Sequence, residues 1–343
     1  MQRTEMLAYT AGVVDGDGFF TIVRDGSYDP TFPYYRIKIG IKQLWPGQGV
    51  RFIAQVIGGQ VAGPERWKDN RPIARWEVYQ QGANSAISSL LPYLRVKTNQ
   101  AKCLLRAHRI IADDYRSHPE RKSLIEDARI EVMELNRGIS RVSTPVEVNP
   151  QEEARKIKLS DGEHVAYLAG VMDSDGYFKI EKRSVKRMIN PHYRIKIGAG
   201  QVAPSPAIEL LSKVFGGTIR IRGDGRKGHR PIAHWGLFDR SAVPALEALL
   251  PYLVIKAPQA RLLLQLRELK ARGKLGITEW THKTRWQRPI KMRKRCYSKS
   301  QVRAFDRLYR TVKALHADSP PLTLPLPPDE TRPPLTGSSP RCR

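Results

Sequence analysis

Asp15-Gly16-Asp17-Gly18 and Asp173-Ser174-Asp175-Gly176 are two short runs where carboxylates are crowded in a pattern that could do chemistry. Each closes a stretch that reads as a helix, Thr4 or Glu5 to Gly16 and Ser160 to Ser174. A helix C-terminus carries partial negative charge and unpaired carbonyls. Aspartates there are electrostatically misplaced unless a basic side chain or a metal ion offsets them. A single such run reads as a plain Asp-Gly helix stop, with Gly18 or Gly176 in a left-handed conformation just past the end. Two of them, on two matching helices, predict four carboxylates near one axis. Oxygen-rich clusters of this kind bind Mg²⁺, and neighbouring divalent ions clamp the attacking and leaving oxygens of a phosphoryl displacement. The chemistry expected is hydrolysis of a nucleic-acid backbone with Mg²⁺, and with Mn²⁺ as a substitute.

The elements that must position these carboxylates occur twice. Leu7-Ala8-Tyr9-Thr10-Ala11-Gly12 returns as Val165-Ala166-Tyr167-Leu168-Ala169-Gly170, and Tyr35-Arg36-Ile37-Lys38-Ile39-Gly40 as Tyr193-Arg194-Ile195-Lys196-Ile197-Gly198. Arg71-Pro72-Ile73-Ala74 returns as Arg230-Pro231-Ile232-Ala233, and Leu91-Pro92-Tyr93-Leu94 as Leu250-Pro251-Tyr252-Leu253. A period this long is a duplicated domain and not a solenoid unit. Small residues one turn apart, Ala8 with Gly12 and Ala166 with Gly170, let helix backbones approach closely. Their recurrence favours the two helices packing on each other, with Ser160 and Glu163 forming a capping box on the second. Arg36 and Lys38 alternate with Ile37 and Ile39, and Arg194 and Lys196 with Ile195 and Ile197. Period-two alternation predicts a sheet with one buried and one basic face. Each half reads as αββαββα with an extra C-terminal helix, an α+β fold. The expected organisation is an N-terminal domain 1–139, a linker 140–159, a C-terminal domain 160–318 and a Pro-rich tail 319–343 expected to be disordered.

Composition narrows the partner. Across 343 residues, 59 Lys and Arg against 33 Asp and Glu leave a net charge of +26. That excess is the footprint of a polyanion binder. No apolar run is long enough to span a membrane, and the first motif begins too early for a signal peptide. Three unpatterned cysteines fit a reducing compartment and no zinc site. Nucleic acid is the first candidate and a membrane surface the second, and the expectation is a cytoplasmic or organellar, non-secreted protein.

With these residues in view, Thr10 to Gly18 and Leu168 to Gly176 resemble the signature of the LAGLIDADG homing endonucleases, in the single-chain form with two motifs. The resemblance extends from Thr4 to about His316. It implies two αββαββα halves, each presenting a saddle of antiparallel strands to the DNA major groove. It implies that Asp17 and Asp175 bind metal, aided by the carbonyls of Gly16 and Ser174, while Asp15 and Asp173 support the helix ends. Gln43 and Gln201 match a glutamine near the water network, and Lys97 and Lys256 a lysine that polarises the scissile region. The further basic residue expected soon after the glutamine is missing from Leu44 to Gly47 and from Val202 to Ser205. An intein origin is not expected, since the terminal nucleophile and the terminal His-Asn pair are lacking.

Arginine is the commonest bidentate reader of guanine. Candidate DNA contacts are Arg36, Lys38, Arg75, Arg194, Lys196, Arg220 and Arg222, with Glu77 and Glu181 as acceptors from cytosine and Thr21 against thymine methyls. The halves differ where Thr21 corresponds to Lys179, Arg75 to His234 and Glu77 to Gly236, so an asymmetric target is expected. The basic segment 281–295, with Trp280 and Trp286 interleaved, reads as a phosphate clamp or a solvated loop. The alternative functions are an RNA maturase acting on its host intron and a non-cleaving DNA-binding regulator.

Overall fold

The computed structural model describes residues 1–25, 33–65, 71–112, 119–138, 160–185, 188–223, 230–273, 276–283 and 289–316, with 276–283 and 289–295 described as backbone only. The expected linker, the expected tail and Trp286 lie outside the described residues. The fold is α+β, with two four-stranded antiparallel sheets and ten helices among the described residues.

In the first half, helix α1 (Arg3–Asp17) leads into strands β1 (Gly18–Asp25) and β2 (Tyr34–Leu44), then helix α2 (Gln48–Ile57) and strands β3 (Gln60–Glu65) and β4 (Ile73–Tyr79). Helices α3 (Gln80–Leu90), α4 (Thr98–Ala112) and α5 (Pro119–Arg137) follow. The second half repeats the order with α6 (Asp161–Ser174), β5 (Gly176–Arg183), β6 (His192–Val202), α7 (Pro206–Phe215), β7 (Thr218–Arg222), β8 (Ile232–Phe238), α8 (Ala242–Leu249) and α9 (Ala257–Arg272). It then adds strands β9 (Gly276–Lys283) and β10 (Pro289–Cys296) before helix α10 (Lys299–His316). The sheet orders are β1-β2-β4-β3 and β5-β6-β8-β7.

Alternation decides which sheet face is core. Phe20, Ile22, Ile37, Ile39, Ile41, Ala74 and Trp76 are buried on one face, as are Phe178, Ile180, Ile195, Ile197, Ala199, Trp235 and Leu237 in the second sheet. The register places Thr21 beside Lys38 and Val23 beside Arg36, with Arg75 beside Lys42, on the opposite face. In the second sheet Lys179 pairs with Lys196 and Glu181 with Arg194. A shift by one residue would bury this charge, so the pattern enforces the register.

Helices α1 and α6 pack directly on each other. Their glycines decide how closely. A Cβ added to Gly12 would lie 2.1 Å from the Tyr167 carbonyl oxygen, and one added to Gly170 would lie 2.1 Å from that of Tyr9. The backbones touch where no side chain fits. Ser160 accepts from the Glu163 amide and the Glu163 carboxylate accepts from the Ser160 amide, completing the expected capping box.

Two expectations change. Gly18 has φ −75° and ψ 156°, so it is extended and not left-handed, and α1 runs straight into β1. Gly176 likewise begins β5 directly. Glycine is needed for space, because a Cβ at Gly18 would lie 2.5 Å from the Val14 carbonyl oxygen. The basic segment 281–295 is not simply a loop. Its described residues lie in β9 and β10, which pair antiparallel, with Met292 paired to Trp280 and Arg293 to Glu279.

Candidate active site

The aspartates at the two helix ends divide into inner and outer pairs. Asp15 and Asp173 are buried. Asp15 accepts from the backbone amides of Arg95, Val96 and Lys97 at 2.8, 3.1 and 2.9 Å. Asp173 accepts from those of Val254, Ile255 and Lys256 at 2.7, 2.9 and 2.8 Å. A carboxylate at the wrong end of its own helix is thus placed at the favourable N-terminal end of another helix of the same half, α4 or α9. Each also accepts from a tyrosine of the other half. Tyr167 donates to Asp15 at 2.7 Å, and Tyr9 to Asp173 at 2.8 Å.

The two lysines meet carbonyls at and just past the ends of α1 and α6. Lys97 Nζ donates to the carbonyls of Val14, Gly16 and Gly18 at 2.9, 2.8 and 2.7 Å. Lys256 Nζ donates to those of Met172, Ser174 and Gly176 at 2.9, 3.1 and 2.7 Å. Burial lowers both ammonium pKa values, while the surrounding aspartates pull them back up. These are the cations expected to offset the helix ends. They also occupy one acceptor direction on the Gly16 and Ser174 carbonyls, each of which has a second lone pair.

Asp17 and Asp175 form the outer pair, and they approach each other across the helix contact. A Cβ on Gly16 would lie 2.9 Å from Asp175 Oδ2. Gln43 donates to Asp17 at 3.2 Å, and Gln201 to Asp175 at 2.7 Å. Loss of hydration raises the pKa of both acids. At Asp17 the negative charge of Asp175 raises it further, against the Gln43 bond and the two lysines. The six residues expected at the catalytic centre therefore come together, Asp17 with Gln43 and Lys97, and Asp175 with Gln201 and Lys256.

Among the described residues, no cluster of three or more His, Cys, Asp or Glu side chains is placed to hold a metal ion. Two carboxylates alone would need carbonyl, water or phosphate oxygens to complete a cation's shell. The donor set still fits a hard divalent cation, since it is all oxygen. Two poorly hydrated carboxylates of raised pKa are also what a cation would relieve.

Sequence reasoning missed Tyr9 and Tyr167, although both recur in the repeat. It also missed Ser205, which donates to Gln201 Oε1 at 2.5 Å. The position equivalent to Ser205 is Gly47, and Gln43 Oε1 is buried without a partner among the described residues. Near the segment lacking a basic residue, Arg51 of α2 donates to the Pro46 carbonyl at 3.0 Å and lies over the Trp45 ring.

The candidate DNA contacts lie on the outer sheet faces, in two different electrostatic states. Lys38 is 2.8 Å from Glu77, and Arg75 is 2.9 Å from Glu65. Glu181 gathers Arg183, Arg194 and Lys196 at 2.7, 2.8 and 3.4 Å. Partial burial works against ionisation of Glu77 and Glu181, but their cationic neighbours, with Tyr79 at Glu77, hold both carboxyls below the usual range. Arg220, Arg222 and His234 are exposed. With Lys196, Tyr177 and Phe238 they line a hollow of about 180 Å³ on the second sheet.

The fold has close counterparts among solved structures. I-AabMI, a LAGLIDADG meganuclease bound to uncleaved DNA, is 14% identical, with 77% of this chain and 91% of its own covered and a TM-score of 0.59. A point mutant of I-SmaMI is 12% identical, with 91% and 96% covered and a TM-score of 0.61. I-SmaMI bound to an uncleaved DNA target in the presence of calcium ions is 13% identical, with 77% and 91% covered and a TM-score of 0.56. No protein-family model matches the chain, and no curated protein matches it. The chain has the fold of the LAGLIDADG homing endonucleases, as its repeated motifs led us to expect. Among the described residues no helix is long and apolar enough to cross a membrane.

Proposed function

We propose that this protein is a site-specific double-strand DNA endonuclease of the LAGLIDADG homing type. In this reading it acts as a monomer on a long, asymmetric target, with Mg²⁺ as cofactor and Mn²⁺ as a substitute. The observation that carries the reading is the convergence of Asp17 and Asp175 at the α1–α6 contact, each with its own glutamine and buried lysine. The two halves, 1–139 and 160–318, act as the two DNA-reading domains. I-AabMI and I-SmaMI, which share the fold, are described as bound to DNA, the latter also with calcium. Both descriptions support the substrate class.

Asp17 and Asp175 would hold the divalent ion, with the Gly16 and Ser174 carbonyls contributing. Bound there, the ion supplies Lewis acidity toward phosphoryl oxygens. The chain's own residues do the rest. Gln43 and Gln201 fix the orientation of the two carboxylates. Lys97 and Lys256 neutralise the helix ends, so that a phosphodiester can approach a region otherwise dense in negative charge. The basic sheet faces hold the DNA on either side. The β9–β10 strand pair has no counterpart among the described residues of the first half, and its Lys- and Arg-rich sequence suits contact with flanking phosphates.

The test is cleavage of a randomised target library with Mg²⁺, Mn²⁺, Ca²⁺ or excess EDTA. We expect cutting with the first two, binding with little cutting in Ca²⁺, and none in EDTA. Asp17→Asn and Asp175→Asn should abolish double-strand cleavage and retain binding. Full activity in EDTA, or wild-type duplex cleavage by both variants, would sink the assignment.

A further inference from the structure

Tyr9 and Tyr167 are fully buried polar side chains that the nuclease reading leaves without a role. Burial, and then the facing Asp173 or Asp15, pushes both phenol pKa values well above the usual range, so both remain donors. Their bonds are crossed. Tyr9 belongs to α1, yet its hydroxyl ends on Asp173 of α6, and Tyr167 of α6 ends on Asp15 of α1.

Each acceptor is the hinge of one active-site end. Asp173 lies two residues before Asp175, and its carboxylate gathers the amides of Val254, Ile255 and Lys256. The Lys256 ammonium then returns to the carbonyls of Met172, Ser174 and Gly176 on both sides of Asp175. The path from Tyr9 therefore runs through Asp173 to Lys256 and the backbone that carries Asp175. The path from Tyr167 runs through Asp15 to Lys97 and the backbone that carries Asp17. Neither tyrosine bonds to the active-site end of its own half among the described residues.

We propose that Tyr9 and Tyr167 are positioning residues, each holding the catalytic end of the opposite half, so that docking of the two halves sets both strand-cleavage sites. The proposal rests on the nuclease reading for its consequence in DNA cutting. Its structural content stands apart from that reading. Loss of one hydroxyl should loosen one helix end and leave the other intact.

Tyr9→Phe and Tyr167→Phe keep the ring, including the edge contact of Tyr9 with Phe52 at 5.1 Å between centroids, and remove only the donor. In metal-free, DNA-free protein, Tyr9→Phe should speed amide hydrogen exchange at Val254, Ile255 and Lys256, and not at Arg95, Val96 and Lys97. Tyr167→Phe should do the reverse. In single-turnover cleavage at saturating DNA with Mg²⁺, each variant should slow one strand by about 10–100-fold, as loss of an outer partner of a metal site does. The two variants should affect opposite strands, with DNA affinity unchanged.

Should a Phe variant fail to fold, 3-fluorotyrosine at the same position keeps the donor, alters its acidity and gives the same two readouts. Exchange that rises equally at both amide sets, or at neither, overturns the crossed assignment. So do strand rates that fall together, or not at all, in a wild-type background that cuts. If exchange follows the crossed pattern while the wild-type protein cuts no DNA, the positioning holds and the nuclease reading fails.

Discussion

The two halves match at the helix contact and part company at the edges of their sheets. At the contact, tyrosine, aspartate, lysine and glutamine repeat with nearly the same bonds. At the sheet edge, β3 carries no Lys or Arg, and its Glu65 ties down Arg75. The corresponding β7 exposes all five of its residues, Arg220 and Arg222 included, and no acidic partner for either arginine exists among the described residues. A smaller inequality lies inside the site itself. Gln201 is held at both ends, by Asp175 and Ser205, whereas among the described residues Gln43 is held by Asp17 alone. Under the proposed nuclease function, the repeated part would build the catalytic end twice, and the unlike parts would let two similar domains treat two half-sites differently.

The largest effect should come where the halves agree. Gly12→Leu and Gly170→Leu should both prevent docking or folding, since even a Cβ would sit 2.1 Å from a backbone carbonyl. Overpacking costs about 1–3 kcal/mol, and more where backbone must move. Calorimetry of both variants checks this. Unchanged melting for either one would break the equivalence of the two helices.

Next comes affinity. Arg220→Ala should cost about 1–3 kcal/mol in binding and relax preference at one target position. Arg75→Ala should cost less, because Glu65 and Glu77 already share its charge. Replacing Lys291, Arg293 and Lys294 together should lower affinity for all sequences and flatten the salt slope by about one unit for each phosphate no longer neutralised. Binding to a target library at several salt concentrations separates these outcomes. A larger loss for Arg75→Ala than for Arg220→Ala would reverse the comparison.

The outer acids give a pH dependence. A carboxyl whose pKa rises on folding binds its proton more tightly in the folded state. Its contribution to stability is therefore present at low pH and is lost as pH climbs from its ordinary value of 3.8 through the raised one. Metal-free wild type should thus lose stability relative to Asp17→Asn as pH rises from about 4 toward neutrality. Glu77 and Glu181, with lowered pKa values, act in the opposite sense, so the difference between wild type and variant is the quantity to follow. Melting curves across this range that run parallel would show that the carboxyl is ordinary. Asp175→Asn should behave similarly, because burial raises that carboxyl's pKa as well.

The smallest expected effect is that of Ser205→Ala. Freed at one end, Gln201 should resemble Gln43, and the two strands should be cut at more nearly equal rates. Strand-resolved cleavage measures this. A widened difference between strands would mean that the serine is not what distinguishes the two glutamines.

Much of this molecule could be read along the chain because its determinants are local. Alternation at period two marks a buried and a basic face wherever the strand lies. Small residues one turn apart mark a helix that can be approached closely, and duplication identifies the paired Asp-x-Asp segments. These patterns and the family resemblance also pointed to the six residues that the structure brings together at the two helix ends, Asp17, Gln43 and Lys97 with Asp175, Gln201 and Lys256. Three things followed only from the folded chain. Glycine at 18 serves close packing and not a left-handed turn, because what forbids a side chain is the Val14 carbonyl as α1 passes directly into β1. Strands β9 and β10 after α9 pair with each other antiparallel, a choice the mixed composition of the segment leaves open. The crossed Tyr–Asp bonds join residues 152 and 164 positions apart. No local period encodes such a pairing, because which tyrosine meets which aspartate is decided only when the two glycine-lined helices come into contact.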